Sequence, residues 1–220
     1  MSAEPLDPAV LSAASPWGLP VRVVGEITST NDELLRRGEE GAPSGTLLFA
    51  ESQTAGRGQF RRPWSSAPGL GLWFSLLLRM EINDASIPSL SAFAAVALVR
   101  ALRSLGATSA GIKEPNDVLI GGQKVAGILV ETRVGNDPFA VVGIGLNVNH
   151  TPEDFPMELR GRAASLAMIT GSSLDRNTVA ASLIVELGKA ERLMRESPQE
   201  LLVAWQRHLL PATGITDLLH

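Results

Sequence analysis

The chain has no cysteine among its 220 residues. That removes disulfides, thiolate metal sites and a cysteine nucleophile together, and it fits a reducing compartment. Histidine is nearly as scarce. His150, His208 and His220 are the three present, far apart and without cysteine partners. They read as structural or surface residues, and no metal site is expected. No internal repeat and no low-complexity linker interrupts the chain. The N-terminus carries Glu4 and Asp7 rather than a basic segment ahead of an apolar run, so no secretory signal is expected. The longest apolar stretch, residues 90–105, contains Arg100 and Arg103 and is too short to cross a bilayer. Excess positive charge is also missing. The net charge of -4 and pI near 5.4 argue against a general nucleic-acid binder. A soluble cytoplasmic protein without DNA or membrane partners is the expectation.

One stretch reverses the overall balance. Between Ser52 and Arg79 there is no Asp or Glu. Within it, residues 53–64 hold two glycines and three arginines. Glycines let backbone N–H groups approach a ligand closely. Arginine offers a fixed fork of donors to carboxylate or phosphate. The pairing suits an anionic small molecule such as a nucleotide, although a solvated basic loop has the same composition.

With 45% hydrophobic and 19% charged residues the chain can bury a core, and its length allows one large domain. Residues 1–20, with five Pro or Gly, read as a flexible leader. The main domain is expected over 21–210, followed by a short tail at 211–220. Strands are expected at 21–27, 46–51, 72–78 and 139–148. Thr28 to Glu33 carries hydroxyl caps and early acids, a helix start that runs to Gly38. A second helix is expected from Pro88 to Gly106, with proline in its first turn and glycine just past its end. Gly121-Gly122 joins two apolar runs, a hairpin signal over 117–131. Val179, Leu183, Leu187, Ala190 and Met194 repeat at helical spacing. Ser197-Pro198-Gln199-Glu200 is a capping-box pattern opening a last helix. Strands arrive partly as hairpins and partly across helices, which predicts an α+β fold with a mixed sheet.

Four segments are unusually polar or glycine-rich beside strands. Single residues in them have plain alternatives. Ser29 and Thr30 suit helix caps, and Asn116-Asp117 suits a turn. Lys124 suits a solvated edge lysine, and Trp64 suits a core residue. Gly143 and Gly145 suit close packing. Their joint order is more specific. Thr28-Ser29-Thr30-Asn31, Gln53-Thr54-Ala55-Gly56-Arg57-Gly58, the Lys-x-Pro-Asn-Asp of 113–117, the run from Lys124 to Glu131, and Gly143-Ile144-Gly145-Leu146-Asn147-Val148-Asn149 together resemble the biotin protein ligase family. Ala164-Ser165-Leu166 matches a shorter downstream element.

The resemblance implies a biotin/lipoate ligase-like, class II synthetase-like catalytic domain with a largely antiparallel sheet flanked by helices. It implies activation of biotin by ATP, with Mg²⁺, to biotinyl-5'-AMP, and transfer to a lysine of a biotin carboxyl carrier protein. Arg57, Lys124 and Asp117 match the catalytic positions. Ser29, Thr30, Asn31, Gln53, Gly56 and Gly127, with Arg57 and Lys124, match the biotin side. Gln59, Arg62, Trp64, Lys113, Asn116, Asp117 and Asn147 match the nucleotide side. A homodimer joined through a sheet edge is the implied assembly.

The chain departs from the family pattern at three places. Gln59 stands where an arginine is usual and Arg61 where a small residue is usual, so looser retention of the adenylate is expected. Glu114 stands where tryptophan is usual and is expected to face solvent or to pair with Arg61 or Arg62. The family's small C-terminal β domain and its N-terminal DNA-binding region are not expected here. Two rival readings are a lipoate or octanoate ligase or transferase of the same superfold, and a non-catalytic binder of biotin or nucleotide.

Overall fold

The structure, a computed structural model, describes residues 4–83 and 85–211; the side chain of Arg61 and most of the tail expected at 211–220, including His220, lie outside the described residues. Seven strands form one sheet: β1 (Arg22–Ile27), β2 (Thr46–Gln53), β3 (Gly71–Arg79), β4 (Gly111–Lys113), β5 (Asp117–Ile120), β6 (Gln123–Arg133) and β7 (Phe139–Asn147). Their order is β1-β2-β3-β7-β6-β5-β4. Only β1 and β2 run parallel, joined across helix α2 (Thr30–Glu39); the remaining pairs are antiparallel. This is the expected α+β mixed sheet. The β5–β6 hairpin turns at Gly121 and Gly122, whose φ values of 58° and 80° match a turn that needs two positive-φ residues.

The helices follow their capping chemistry. Ser29 caps α2 by accepting from the Asp32 N–H, with Asp32 and Glu33 in the first turn and Arg36 and Arg37 in the last, each sign placed to suit the helix dipole. Ser165 caps the short α4 (Leu166–Thr170) by accepting from the Met168 N–H, and Asp175 caps the long α5 (Arg176–Glu196) through the N–H groups of Asn177 and Thr178. In α6 (Pro198–His208) the Ser197 side chain makes no capping bond, so the capping-box pattern there works through Pro198 alone.

One face of the sheet packs on α3 (Ser86–Ser104), α5 and α6, with Leu72, Phe74, Leu76, Leu90, Phe93, Leu98, Leu183 and Leu187 all fully buried or nearly so. Each such side chain contributes about 1.5–3 kcal/mol by leaving water. Helix α3 is longer than the apolar run had implied, 19 residues, and long and apolar enough to span a membrane, but most of it is buried inside the protein. The other face packs on α2 through Leu34, Leu35, Leu48, Leu77, Phe139 and Val141. That packing covers only one end of the face. At the other end Gly143 pairs with Ser75 and Leu129, and Gly145 pairs with Trp73 and Gly127. Small residues there leave a hollow beside the start of α2.

The expected loose leader is instead tied down. Asp7 caps a helix, α1 (Pro8–Ala14), with Pro8 at its first turn, and Leu6 and Leu11 are buried. The count of Pro and Gly hid an N-cap followed by proline, which starts a helix. Arg176, 3% exposed, pairs with Glu51 at 2.7 Å and donates to the Glu4 carbonyl, while the Glu51 carboxylate also accepts from the Leu6 N–H. The Trp17 indole N–H donates to Glu191 at 2.6 Å. His150 is buried, stacked on Phe155 at 5.0 Å and edge-on to Trp73. Burial pushes its pKa down to about 4, only partly offset by Asp154.

Candidate active site

The hollow is the inner of two adjoining chambers. It encloses about 50 Å³, and Ser29, Thr30, Asn31, Gln53, Arg57, Lys124 and Gly127 line it. Strand β1 delivers Ser29 at the N-terminus of α2, β2 ends on Gln53, and β6 carries Lys124 and Gly127. An outer chamber of about 590 Å³ is lined by Arg62, Lys113, Glu114, Asp117, Asn147 and Arg162. Gln59, Trp64, Asn116 and Lys124 face both.

Trp64 is the wall between them. Its indole lies over the backbones of the paired Gly127 and Gly145; a Cβ on Gly145 would fall 2.5 Å from the ring, and one on Gly127 2.8 Å. Nothing larger than glycine fits at either position without moving the ring. The Lys124 ammonium sits 5.0 Å from the Trp64 ring centroid, a cation–π contact. The Trp64 indole N–H is buried with no acceptor among the described residues.

Both cations are held in place by carboxylates of the chain itself. The Arg57 guanidinium grips Asp32 through two bonds, 3.0 and 2.6 Å, and reaches both Glu131 oxygens at 3.3 Å. Burial works against its charge, but the Asp32 hydrogen bond and the Glu131 and Asp32 charges outweigh that, raising its pKa above the usual arginine value. Lys124 pairs with Asp117 at 2.6 Å. An anionic ligand therefore meets cations whose positions are already fixed, which is what electrostatic stabilisation of developing charge requires.

The amide of Gln53 connects the basic loop to α2. Its Oε1 accepts from the Thr30 N–H at 2.8 Å, and its Nε2 donates to Ser66 at 3.0 Å. Asn116 and Asn147 are partly committed to the fold: their amide nitrogens donate to the carbonyls of Ile128 and Ala164, both at 3.0 Å.

Gly56, expected against the ligand, lines neither chamber. It is glycine because a Cβ there would lie 2.8 Å from the Trp64 carbonyl and 2.9 Å from the Ser66 hydroxyl, so it lets the basic loop close on itself. Glu114 is exposed at the outer rim, turned away from the inner chamber. Sequence reasoning passed over Asp32, Glu131 and Ser75 as site residues. Asp32 looked like a first-turn helix acid and Glu131 like the end of a motif. Ser75 offered a usable signal, a lone hydroxyl inside the apolar strand Gly71–Arg79.

Comparison with known proteins agrees with this geometry. Residues 23–149 match the model of the biotin/lipoate A/B protein ligase family. A bifunctional ligase/repressor BirA from Bacillus subtilis is 36% identical over 204 residues, covering 88% of this chain and 63% of that protein. The biotin–[acetyl-CoA-carboxylase] ligase of Mycobacterium tuberculosis is 37% identical over 183 residues, covering 81% of this chain and 66% of that protein. The chain thus spans just under two thirds of the length of these curated relatives. The biotin protein ligase of Aquifex aeolicus, solved with biotin and ATP, superposes with a TM-score of 0.73 at 29% identity, covering 87% of this chain and 79% of that one. The family model extends over more than half of the chain and takes in the inner chamber and the basic loop: the chain belongs to the biotin/lipoate A/B protein ligase family.

Proposed function

We propose that the chain is an ATP-dependent ligase that joins the carboxylate of biotin to the α-phosphate of ATP, releasing pyrophosphate, and then passes the biotinyl group from AMP to a lysine amine of a biotin carboxyl carrier protein. The observation that carries this reading is the convergence of Arg57 and Lys124 on one inner chamber that adjoins a larger, cation-lined outer one. Two anions must meet for the first step, and fixed positive charge at their meeting point offsets the repulsion and stabilises the transition state. The names of the relatives, biotin ligases among them, point the same way.

In this reading the inner chamber takes biotin. Thr30, Ser29 and Gln53 present hydroxyl and amide groups to the fused-ring urea, which both donates and accepts hydrogen bonds. The outer chamber takes ATP, with Lys113 and Arg62 toward the phosphates. Trp64, between the chambers, would stack on the adenine once its ring leaves the two glycines. Asp117, held by Lys124, would orient the incoming lysine amine. Among the described residues no three His, Asp or Glu side chains gather into a metal site, so Mg²⁺ would enter as part of the substrate with ATP. Of the sheet's two edges, β4 is capped by Leu209 and Leu210, so a homodimer through a sheet edge would use β1. The polar inner wall favours biotin over a lipoyl or octanoyl acid, which needs an apolar channel.

The test is to incubate the protein with ATP, Mg²⁺ and a carrier domain, offering biotin or octanoate, and to weigh the carrier. A biotin-sized gain on one lysine is expected. An octanoyl gain, or ligand binding with no gain at all, overturns the proposal.

A further inference from the structure

The inner chamber's polar side chains are not independent. Gln53 Oε1 accepts from Thr30, whose Oγ1 lies 2.8 Å from Ser75 Oγ. Ser75 donates to Asn31 Oδ1 at 2.6 Å, and Asn31 Nδ2 donates to Glu131 at 2.8 Å. Glu131 in turn receives Arg57. The series is continuous from the head-group end of the chamber to its cation. It leaves the basic loop at Gln53 and returns to the same loop at Arg57.

Ser75 is the link on which the series turns. It lies on β3 with no exposed surface, directly opposite Gly143. A side chain at 143 would occupy the place of the Asn31 amide, so the glycine admits the amide that Ser75 then fixes. With Asn31 Nδ2 given to Glu131 and Oδ1 to Ser75, the amide is held in one orientation. A buried hydroxyl in an apolar strand is costly unless partnered, and here both partners are site residues. In a low-dielectric interior such linked bonds reinforce one another, and loss of one member loosens those beyond it.

We infer that Ser75 is a positioning residue, which acts through Asn31 and Glu131 to set the Arg57 guanidinium against the reacting carboxylate. Glu131 is the last member of the series and orients Arg57 by contact. The inference rests on the ligase reading, because the effect it describes is on acid activation. A residue with no surface in the chamber thus governs the cation that faces it.

The test is a double-mutant cycle on biotin-dependent exchange of labelled pyrophosphate into ATP. Ser75→Ala is measured in the native background and in an Arg57→Lys background, with thermal unfolding run beside each. If Ser75 acts through Arg57, its loss lowers kcat/KM by about tenfold in the native chain and less than about twofold once Arg57 is already replaced. An equal loss in both backgrounds overturns the inference, since it is the mark of general loosening. So does no loss in either. Ser75→Cys, close in size but a weak hydrogen-bond donor, repeats the cycle should Ser75→Ala unfold, and the same two outcomes decide it. Absence of exchange in the native protein is a different result: it refutes the ligase reading itself.

Discussion

The two chambers are built on opposite terms. In the inner one the charged and amide groups are already partnered: Arg57 with Asp32 and Glu131, Asn31 with Ser75 and Glu131, Gln53 with Thr30 and Ser66. In the outer one Lys113, Glu114, Arg62 and Arg162 are exposed at the rim. The first arrangement has its ordering cost met by folding, so a ligand need not order the side chains when it binds. The second leaves its side chains free to follow a ligand and then a protein partner. A small acid that must be recognised by its head and held still fits the first. A polyphosphate, followed by an incoming lysine, fits the second.

Three changes would break or sharpen that contrast. The largest effect is expected from Gly145→Val. It puts a branched side chain where the Trp64 indole lies. Overpacking costs on the order of 1–3 kcal/mol, and the displaced ring obstructs the inner chamber. Calorimetry should show biotin binding weakened roughly tenfold or more, with ATP binding much less changed. Equal loss of both ligands would mean that the chambers are one site. Next is Gln59→Arg, which adds a cation on the boundary between chambers. Release of free acyl-adenylate should fall several-fold, since a charged donor binds phosphate more strongly than a neutral amide; unchanged release would show that Gln59 does not set retention.

The smallest effect concerns stability behind the outer chamber, where Ser165 donates to the carbonyl of His150 at 2.6 Å. The His150 imidazole titrates near 6.5 when unfolded and near 4 when buried. Between those values the unfolded chain binds a proton that the native chain does not. Stability contributed by neutral His150 is therefore complete above about pH 6.5 and declines toward pH 4, by at most about 1.4 kcal/mol per pH unit. Unfolding temperatures from pH 7 to 4 should fall less steeply in His150→Gln than in the native protein. Parallel curves would contradict this.

Much of the fold was legible because the pattern and the punctuation agreed. Gly-Gly between apolar runs gave the β5–β6 hairpin, and Ser29 with Asp32 and Glu33 gave the start of α2. The short β4 was not legible, since three residues show no period, and α1 was masked by Pro8 and the prolines on either side of it. For the site, residue types and motif order pointed to Arg57, Lys124, Gln53 and Thr30 before any geometry. What the chain could not display was pairing at a distance. Asp32 lies 25 residues from Arg57 and Glu131 lies 74, and only the fold, which sets the start of α2 and strand β6 against the basic loop, brings them together. Gly56 was misplaced for a related reason: a glycine in a ligand loop serves the loop's own closure as readily as the ligand.

If fixed charge from Arg57 and Lys124 drives acid activation in the shared chamber, the first half-reaction needs both side chains. Biotin-dependent exchange of labelled pyrophosphate into ATP tests it most directly, measured for the native protein, Arg57→Ala and Lys124→Ala. The account predicts exchange only when biotin is present, and a fall of about 10²–10³-fold in either variant. Exchange that proceeds at the native rate without Arg57 or without Lys124 would contradict it.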